Sequence, residues 1–248
     1  MPSFSNVRFR AARWWLLGGL VVLAGAVGMW ALGAAGNGMR FSETGATTAQ
    51  SPAANPIDRG SPALFLGDSW TWGYSAEPPT AGMAYLAAAD LHLDATVDGV
   101  PGTGFVSPGP HGEGNFAQRL SALTLAAKPE LVVLQGGTND TESTPKNIAA
   151  ALSATVDVVD ERWPEATVIV VGPGPRTWPS EPRIAAVDAV LSARAEELGV
   201  DYISPLLEQW ITEATAPTVL DQTTSHPGTA GHAHLGRELA DSIRELLD

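Results

Sequence analysis

The chain contains no cysteine. Disulfide bonds, thiolate metal ligands and a cysteine-linked lipid anchor are therefore excluded. The sequence also lacks His-Glu-x-x-His and any comparable cluster of metal-ligating residues, so it predicts no catalytic metal and no other cofactor. Gly-x-Ser-x-Gly is absent as well, which argues against a nucleophilic serine on the sharp strand-to-helix elbow that this motif forms.

Basic residues are scarce, since 14 Lys and Arg stand against 27 Asp and Glu and give a formal net charge of -13. Residues 1–40 hold four arginines and no acidic residue, so the remainder has ten basic and 27 acidic residues, a charge of -17. A domain this acidic is not expected to bind nucleic acid. We interpret the acidity as an aid to solubility and assign it no functional role.

One long apolar run without a charged residue extends from Trp14 to Gly36. At 1.5 Å per residue it is long enough to cross a hydrocarbon core of about 30 Å. Residues 1–13 are basic and predict that the N-terminus stays in the cytoplasm. Residues 14–36 are therefore predicted to be a transmembrane helix or signal anchor in the cell membrane, with the rest of the chain outside the cytoplasm. Small residues from Ala31 to Ala35 leave open a cleaved signal and a secreted protein.

Residues 37–60 are rich in Gly, Ser, Thr, Ala and Pro without apolar periodicity, and predict a flexible linker. Residues 61–248 remain as one folded domain, expected to be a monomer. Within it, short apolar runs predict five strands: Ala63–Leu66, Ala95–Val97, Leu131–Leu134, Thr167–Val171 and Asp201–Ile203. Helical patterns lie between and after them, at Ala81–Leu91, Phe116–Ala126, Asn147–Val159, Arg183–Leu198 and Ala230–Leu247.

This alternation predicts an α/β fold, a three-layer α/β/α sandwich around a five-stranded parallel sheet. Ligands of such sheets bind beyond the carboxyl ends of the strands. Ser69, Gly102 and Asn139 each follow a predicted strand directly and are therefore expected at this one edge. His226 lies in the loop before the last helix and can fold back to meet them.

Three motifs occur in a fixed order: Gly67-Asp68-Ser69, Gly137-Thr138-Asn139-Asp140 and His226-Pro227. With Gly102 in the loop after the second strand, this ordered set resembles the SGNH/GDSL hydrolase family over roughly residues 60 to 248. The resemblance implies a flavodoxin-like SGNH hydrolase fold and a serine esterase or acylhydrolase. The competing interpretation is that these residues only form turns and helix caps.

A serine hydroxyl needs a neighbouring base to attack a carbonyl carbon. Ser69 is the candidate nucleophile and His226 the candidate base. The resemblance implies an oxyanion hole made by the backbone N–H groups of Ser69 and Gly102 and the side-chain amide of Asn139. A tight turn at Gly102 and a helix cap at Asn139 are the structural alternatives. His232 and His234 are expected to be structural or surface residues, because a spacing of two does not share a helix face.

The third member of the triad departs from the family pattern. The family usually has an Asp three residues before the His, where this chain has Thr223. The nearest acid is Asp221, which either completes a triad across a slight bulge or leaves a Ser-His dyad oriented by a backbone carbonyl. Asp68 is expected to fix the loop that carries Ser69.

Aromatic residues lie close to the nucleophile and in the loop after the fourth strand. Trp70, Trp72 and Trp178 are candidate substrate-binding residues, although Trp70 is as well placed to pack in the core. The expected partner is a small-molecule, lipid or glycan ester, cleaved through an acyl-enzyme. Two alternatives stay open: an O-acyltransferase acting on cell-envelope glycans, and an inactive binding module suggested by Thr223.

Overall fold

The computed structural model describes residues 57–248. The predicted transmembrane helix at 14–36, the basic residues 1–13 and nearly all of the predicted linker lie outside the described residues. Among residues 57–248, none of the helices combines the length and the apolar character that a membrane span requires.

The domain is built on a five-stranded sheet in which every strand pair is parallel. All five predicted strands are confirmed. In chain order they are β1 (Pro62–Gly67), β2 (Asp94–Gly99), β3 (Leu131–Gln135), β4 (Thr167–Val171) and β5 (Asp201–Ile203). Their spatial order is β2-β1-β3-β4-β5, so β2 lies on one side of β1 and the next three strands of the chain lie on the other side. The β1 and β3 ends flank the crevice in which such sheets bind ligands.

Seven α-helices surround the sheet within the described residues: α1 (Ser69–Trp72), α2 (Met83–Asp90), α3 (Phe116–Ala122), α4 (Pro145–Arg162), α5 (Pro182–Leu198), α6 (Ala216–Val219) and α7 (Thr229–Leu247). Apolar side chains of α2 and α7 pack on one face of the sheet, and those of α3, α4 and α5 pack on the other. In β1, Phe65 points to the first face while Leu64 and Leu66 point to the second. The three-layer α/β/α prediction is confirmed.

The prediction for α3 is wrong at its C-terminal end. The helix ends at Ala122, four residues short of the predicted Ala126, and Leu123 has an extended backbone. Arg162 of α4 donates to the backbone carbonyls of Leu120 and Leu123. Because these bonds satisfy carbonyls at the end of the helix, the chain can leave the helix there without burying unpaired groups.

A two-stranded antiparallel hairpin between α6 and α7 was not predicted. Its strands are β6 (Leu220–Asp221) and β7 (His226–Pro227), and His226 lies opposite Asp221. Strands of two residues have no periodicity that a sequence pattern could reveal. The hairpin matters because it carries the candidate catalytic histidine to the sheet.

Candidate active site

The candidate nucleophile lies where β1 passes into α1. Asp68 caps this short helix, since its Oδ1 accepts a 2.9 Å hydrogen bond from the backbone N–H of Trp70. Ser69 is the first residue of the helix and is largely buried. Because Asp68 and the turn after Gly67 fix the backbone, Ser69 has a defined position at the carboxyl edge of the sheet.

Ser69 and His226 contact each other directly. The distance from Ser69 Oγ to His226 Nε2 is 2.8 Å, and His226 Nδ1 lies 2.7 Å from the backbone oxygen of Thr224. A carbonyl oxygen can only accept, so Nδ1 carries the ring proton and Nε2 is left as the acceptor for the serine hydroxyl. This is the tautomer that a general base for Ser69 requires.

Of the two arrangements that the sequence left open for Asp221, the structure favours the dyad, because the Nδ1 of His226 contacts the Thr224 carbonyl. Asp221 Oδ1 instead accepts a 2.7 Å bond from the backbone N–H of Thr223, within its own turn. The carboxylate is used in closing the hairpin, and the Thr224 carbonyl holds the outer imidazole nitrogen. The geometry is that of a Ser-His dyad.

The segment after the nucleophile also holds the histidine hairpin. The ring of Tyr74 lies against the imidazole of His226, with 4.5 Å between centroids and 38° between planes. Ser75 has a positive φ of 71°, and its Oγ donates a 2.9 Å bond to Thr224 Oγ1. Ser75 therefore contacts the residue whose carbonyl fixes the tautomer of His226.

His232 holds the segment after the nucleophile through a hydrogen bond to Tyr74. It is fully buried, and its Nδ1 accepts from the N–H of Met83 at 3.1 Å. Its Nε2 therefore carries the proton and donates to the carbonyl of Tyr74 at 3.0 Å. Burial lowers the pKa of His232 and favours the neutral ring that both bonds need. His232 has the structural role expected for it, and it contacts the site through Tyr74, whose ring lies against His226.

The candidate oxyanion hole consists of three groups on neighbouring loops. Gly102 has a φ of +83°, and a Cβ added there would lie 2.7 Å from Cδ of Pro110, so the loop conformation itself demands glycine. Asn139 Nδ2 donates to the backbone oxygen of Thr103 at 2.8 Å, which leaves its second N–H free to donate. Within residues 57–248, the backbone N–H groups of Ser69 and Gly102 take part in none of the protein hydrogen bonds.

Asp140 holds the loop that presents Gly102, a role that the motif alone did not indicate. Its carboxylate accepts three backbone N–H groups, those of Phe105, Val106 and Ser107, at 2.9 to 3.1 Å. Burial raises the pKa of Asp140, opposed by these three bonds. The residue that follows Asn139 in the chain thus positions the loop that carries the other oxyanion donor.

Arg119 of α3 links the C-terminal ends of β1 and β2 to the loop that carries Gly102. It is buried, and its Nη1 donates to Gly67 O at 2.8 Å and to Thr103 Oγ1 at 2.7 Å. Its Nη2 donates to the carbonyl of Asp98 and forms an ion pair with that side chain at 3.0 Å. The role of Arg119 was not predicted, because nothing in its helix distinguishes it from a surface arginine.

The three candidate aromatic residues have different surroundings. Trp70 is 2% exposed and packs against Gly174 so closely that an added Cβ there would overlap its ring. It is a core residue, which corrects its prediction as a substrate-binding residue. Trp72 and Trp178 are 38% and 41% exposed, as substrate-binding residues can be. No group of three or more potential metal ligands occurs within the described part of the chain.

Comparison with known proteins identifies the family of the chain. The model of the GDSL-like lipase/acylhydrolase family matches residues 65–234. The chain belongs to this family. The match begins within β1 and ends within α7, so it includes Ser69, Gly102, Asn139 and His226.

Individual relatives and solved structures share 20 to 28% sequence identity with the chain. The chain is 28% identical to the GDSL lipase Rv0518 of Mycobacterium tuberculosis over 195 residues, 73% of this chain and 81% of that protein. An aryl esterase of M. smegmatis has a TM-score of 0.58 and 22% identity, over 75% of this chain and 100% of the other. Est24, a carbohydrate acetylesterase of Sinorhizobium meliloti, has a TM-score of 0.58 and 20% identity, over 75% and 99%. These two solved structures share the fold of the family.

Proposed function

We propose that this member of the GDSL-like family is an extracytoplasmic serine esterase that cleaves carboxylic esters through a Ser69-His226 dyad. The observation that carries the proposal is the 2.8 Å contact between Ser69 Oγ and His226 Nε2, with the Nδ1 proton engaged by the Thr224 carbonyl. A hydroxyl, a base in the correct tautomer and free oxyanion donors are the groups that acyl transfer requires.

In the first half-reaction Ser69 Oγ attacks the ester carbonyl carbon while His226 Nε2 takes the hydroxyl proton. The tetrahedral oxyanion receives hydrogen bonds from the N–H groups of Ser69 and Gly102 and from Asn139. Collapse breaks the bond to the alcohol oxygen, which leaves with the proton from Nε2. Water then attacks the acyl-serine, giving its proton to Nε2, and the carboxylic acid departs as Ser69 recovers that proton.

The extracytoplasmic part of the proposal rests on the sequence of the N-terminal residues. An uncharged run at 14–36 follows arginines at 8, 10 and 13, which favours a cytoplasmic N-terminus and an outward domain. Protease added to intact cells should digest the domain of the full-length chain. Protection in intact cells, lost only after lysis, would contradict this location.

The catalytic proposal is tested with the full-length chain in mild detergent on activated esters from acetyl to palmitoyl. We expect the wild type to turn over at least one ester, and Ser69→Ala and His226→Ala each to reduce kcat by about 10⁴-fold or more with the fold intact. Circular dichroism is the check on folding. Undiminished cleavage by folded Ser69→Ala, or a wild type inactive on every ester, would overturn the proposed mechanism.

A further inference from the structure

Two aromatic rings beside the candidate catalytic histidine are exposed. Trp72 and Tyr74 are 38% and 39% exposed, and their ring centroids are 5.9 Å apart. The other aromatic contact of Tyr74 is to His226 itself, at 4.5 Å. By contrast, three other tryptophans of the described domain, at 70, 163 and 210, are at most 7% exposed. The rings of Trp72 and Tyr74 are therefore an accessible aromatic surface that ends at the imidazole.

The chemistry of acyl transfer fixes which part of an ester lies beside that imidazole. The carbonyl oxygen must point to Gly102 and Asn139, and the alcohol oxygen must receive a proton from His226 Nε2 as it leaves. The alcohol oxygen is therefore within hydrogen-bond reach, about 3 Å, of Nε2. Groups attached to that oxygen extend on the histidine side of Ser69, where the exposed rings are.

We propose that Trp72 and Tyr74 bind the alcohol part of the ester and select alcohols that present a flat ring, a pyranose or an aryl group. This inference rests on the proposed esterase function and specifies its substrate class. Flat apolar faces are what aromatic side chains contact best, by stacking with another ring or by packing against its C–H groups.

The backbone that carries both rings is held by hydrogen bonds before any substrate binds. Trp72 is the last residue of α1, and its N–H donates to the carbonyl of Asp68 at 3.0 Å. The N–H of Tyr74 donates to Ser69 O at 2.9 Å, and its carbonyl accepts from the buried His232. Because little backbone freedom remains to be lost, contact with a rigid ring costs little backbone conformational entropy.

The test uses Trp72→Ala in the full-length chain, because Tyr74 also holds His226. A first series keeps the acetyl group and varies the alcohol: ethyl acetate, phenyl acetate and an acetylated methyl glucoside. We expect kcat/KM of Trp72→Ala to fall about tenfold on whichever ring ester the wild type prefers. The decrease on ethyl acetate should be smaller by a factor of at least about three. Preference between the phenyl and glucoside arms identifies the kind of ring. Trp72→Phe, which keeps an aromatic face, should restore most of the loss.

A second series keeps the phenyl alcohol and lengthens the acyl chain from acetyl to octanoyl. We expect the loss in Trp72→Ala to be the same for every chain length, because the acyl group lies on the other side of Ser69. The Trp72→Ala substitution should lower the rate of acylation and leave the rate of acyl-enzyme hydrolysis unchanged, because every acetate forms the same acetyl-enzyme. Leu246→Ala is the matched control, because Leu246 is an apolar residue with similar exposure, 40%, at the C-terminal end of α7. Its relative rates among the three alcohols should equal those of the wild type.

Three results would overturn the alcohol site. They are a loss in Trp72→Ala that is equal for all alcohols, a loss that follows acyl chain length, and the same alcohol dependence in Leu246→Ala. Each is measured on an enzyme that still turns over. Failure of the esterase function itself gives a different result, an inactive wild type or an active Ser69→Ala.

Discussion

Asp140 bears no reacting atom, but its carboxylate fixes the loop that presents Gly102. Three backbone N–H groups, at residues 105, 106 and 107, converge on it, and an added Cβ at Gly104 would lie 2.5 Å from one of its oxygens. An anion satisfies all three donors because both of its oxygens accept. The electrostatic contribution of the oxyanion hole depends on donors that are already in place when charge develops.

Asp140→Asn is therefore expected to lower kcat about 10- to 100-fold while changing KM less, since the amide presents N–H₂ to at least one backbone donor. Asp188→Asn is the matched control. Asp188 is also buried and accepts from the hydroxyls of Tyr202 and Ser204, but in the contact between α5 and β5. It should lose stability at unchanged kcat. Equal kcat values for Asp140→Asn and the wild type would contradict the positioning role.

At the scale of elements, the β6–β7 hairpin performs the task usually given to a triad carboxylate. Thr224 supplies the carbonyl that orients His226, and Ser75 fixes Thr224 through its hydroxyl. Asp221 only closes the turn, through Thr223 N–H. The alignment of the imidazole thus depends on neutral groups of the hairpin and of the segment after α1.

Asp221→Ala is accordingly expected to reduce kcat by less than about tenfold, because the partner of Nδ1 remains. Thr224→Val, which removes only the hydroxyl contact to Ser75, should cost about fivefold, the equivalent of one hydrogen bond. Thr224→Ser should restore it. Single-turnover kinetics on an activated acetate provides the comparison. A loss of several thousandfold in Asp221→Ala would show that a carboxylate is needed after all.

The elements that sequence patterns predicted are those with apolar periodicity. The central strands β1 and β3 are runs of mostly apolar residues that are buried on both faces, and such runs are visible without a structure. The hairpin that holds His226 is specified by side-chain contacts between residues 149 or more positions apart, as between Ser75 and Thr224. No local pattern reports such contacts, so the sequence predicted His226 but left open whether Asp221 or a backbone carbonyl orients it.

Site residues divide in the same way. Ser69, Gly102, Asn139 and His226 follow strands or stand in motifs, and their place at one sheet edge could be predicted. The groups that support them, such as Arg119 and His232, act through long-range contacts to backbone carbonyls. Their residue types occur on many helices, so only the fold shows what they contact.

For the whole molecule, the buried carboxylates make stability depend on pH. Asp68, Asp140 and Asp188 are at most 4% exposed in a strongly acidic domain. Burial raises the pKa of all three, and raises that of Asp68 from 3.8 to about 7, against the opposing effect of the Trp70 N–H. Among residues 57–248, no hydrogen-bond partner is found for Asp68 Oδ2, so its ionised form is poorly solvated.

A carboxyl whose pKa is higher in the folded than in the unfolded chain stabilises the fold when protonated. For Asp68 this stabilisation is full below about pH 4 and is lost as the pH rises to about 7, the folded pKa. Asp68→Asn keeps an oxygen to cap α1 and cannot ionise. The variant should therefore gain stability over the wild type between these pH values, by up to about 4 kcal/mol, with a constant difference above pH 7.

Urea unfolding of both chains at a series of pH values measures this difference, and Asp94→Asn, at an exposed carboxylate, controls for the loss of one charge. Curves for wild type and Asp68→Asn that run parallel from pH 4 to pH 8 would mean that Asp68 ionises as easily in the fold as in the unfolded chain. Convergence at low pH would show that an uncharged cap beside the nucleophile is the more stable state. The turn that carries Ser69 would then be most stable in weak acid.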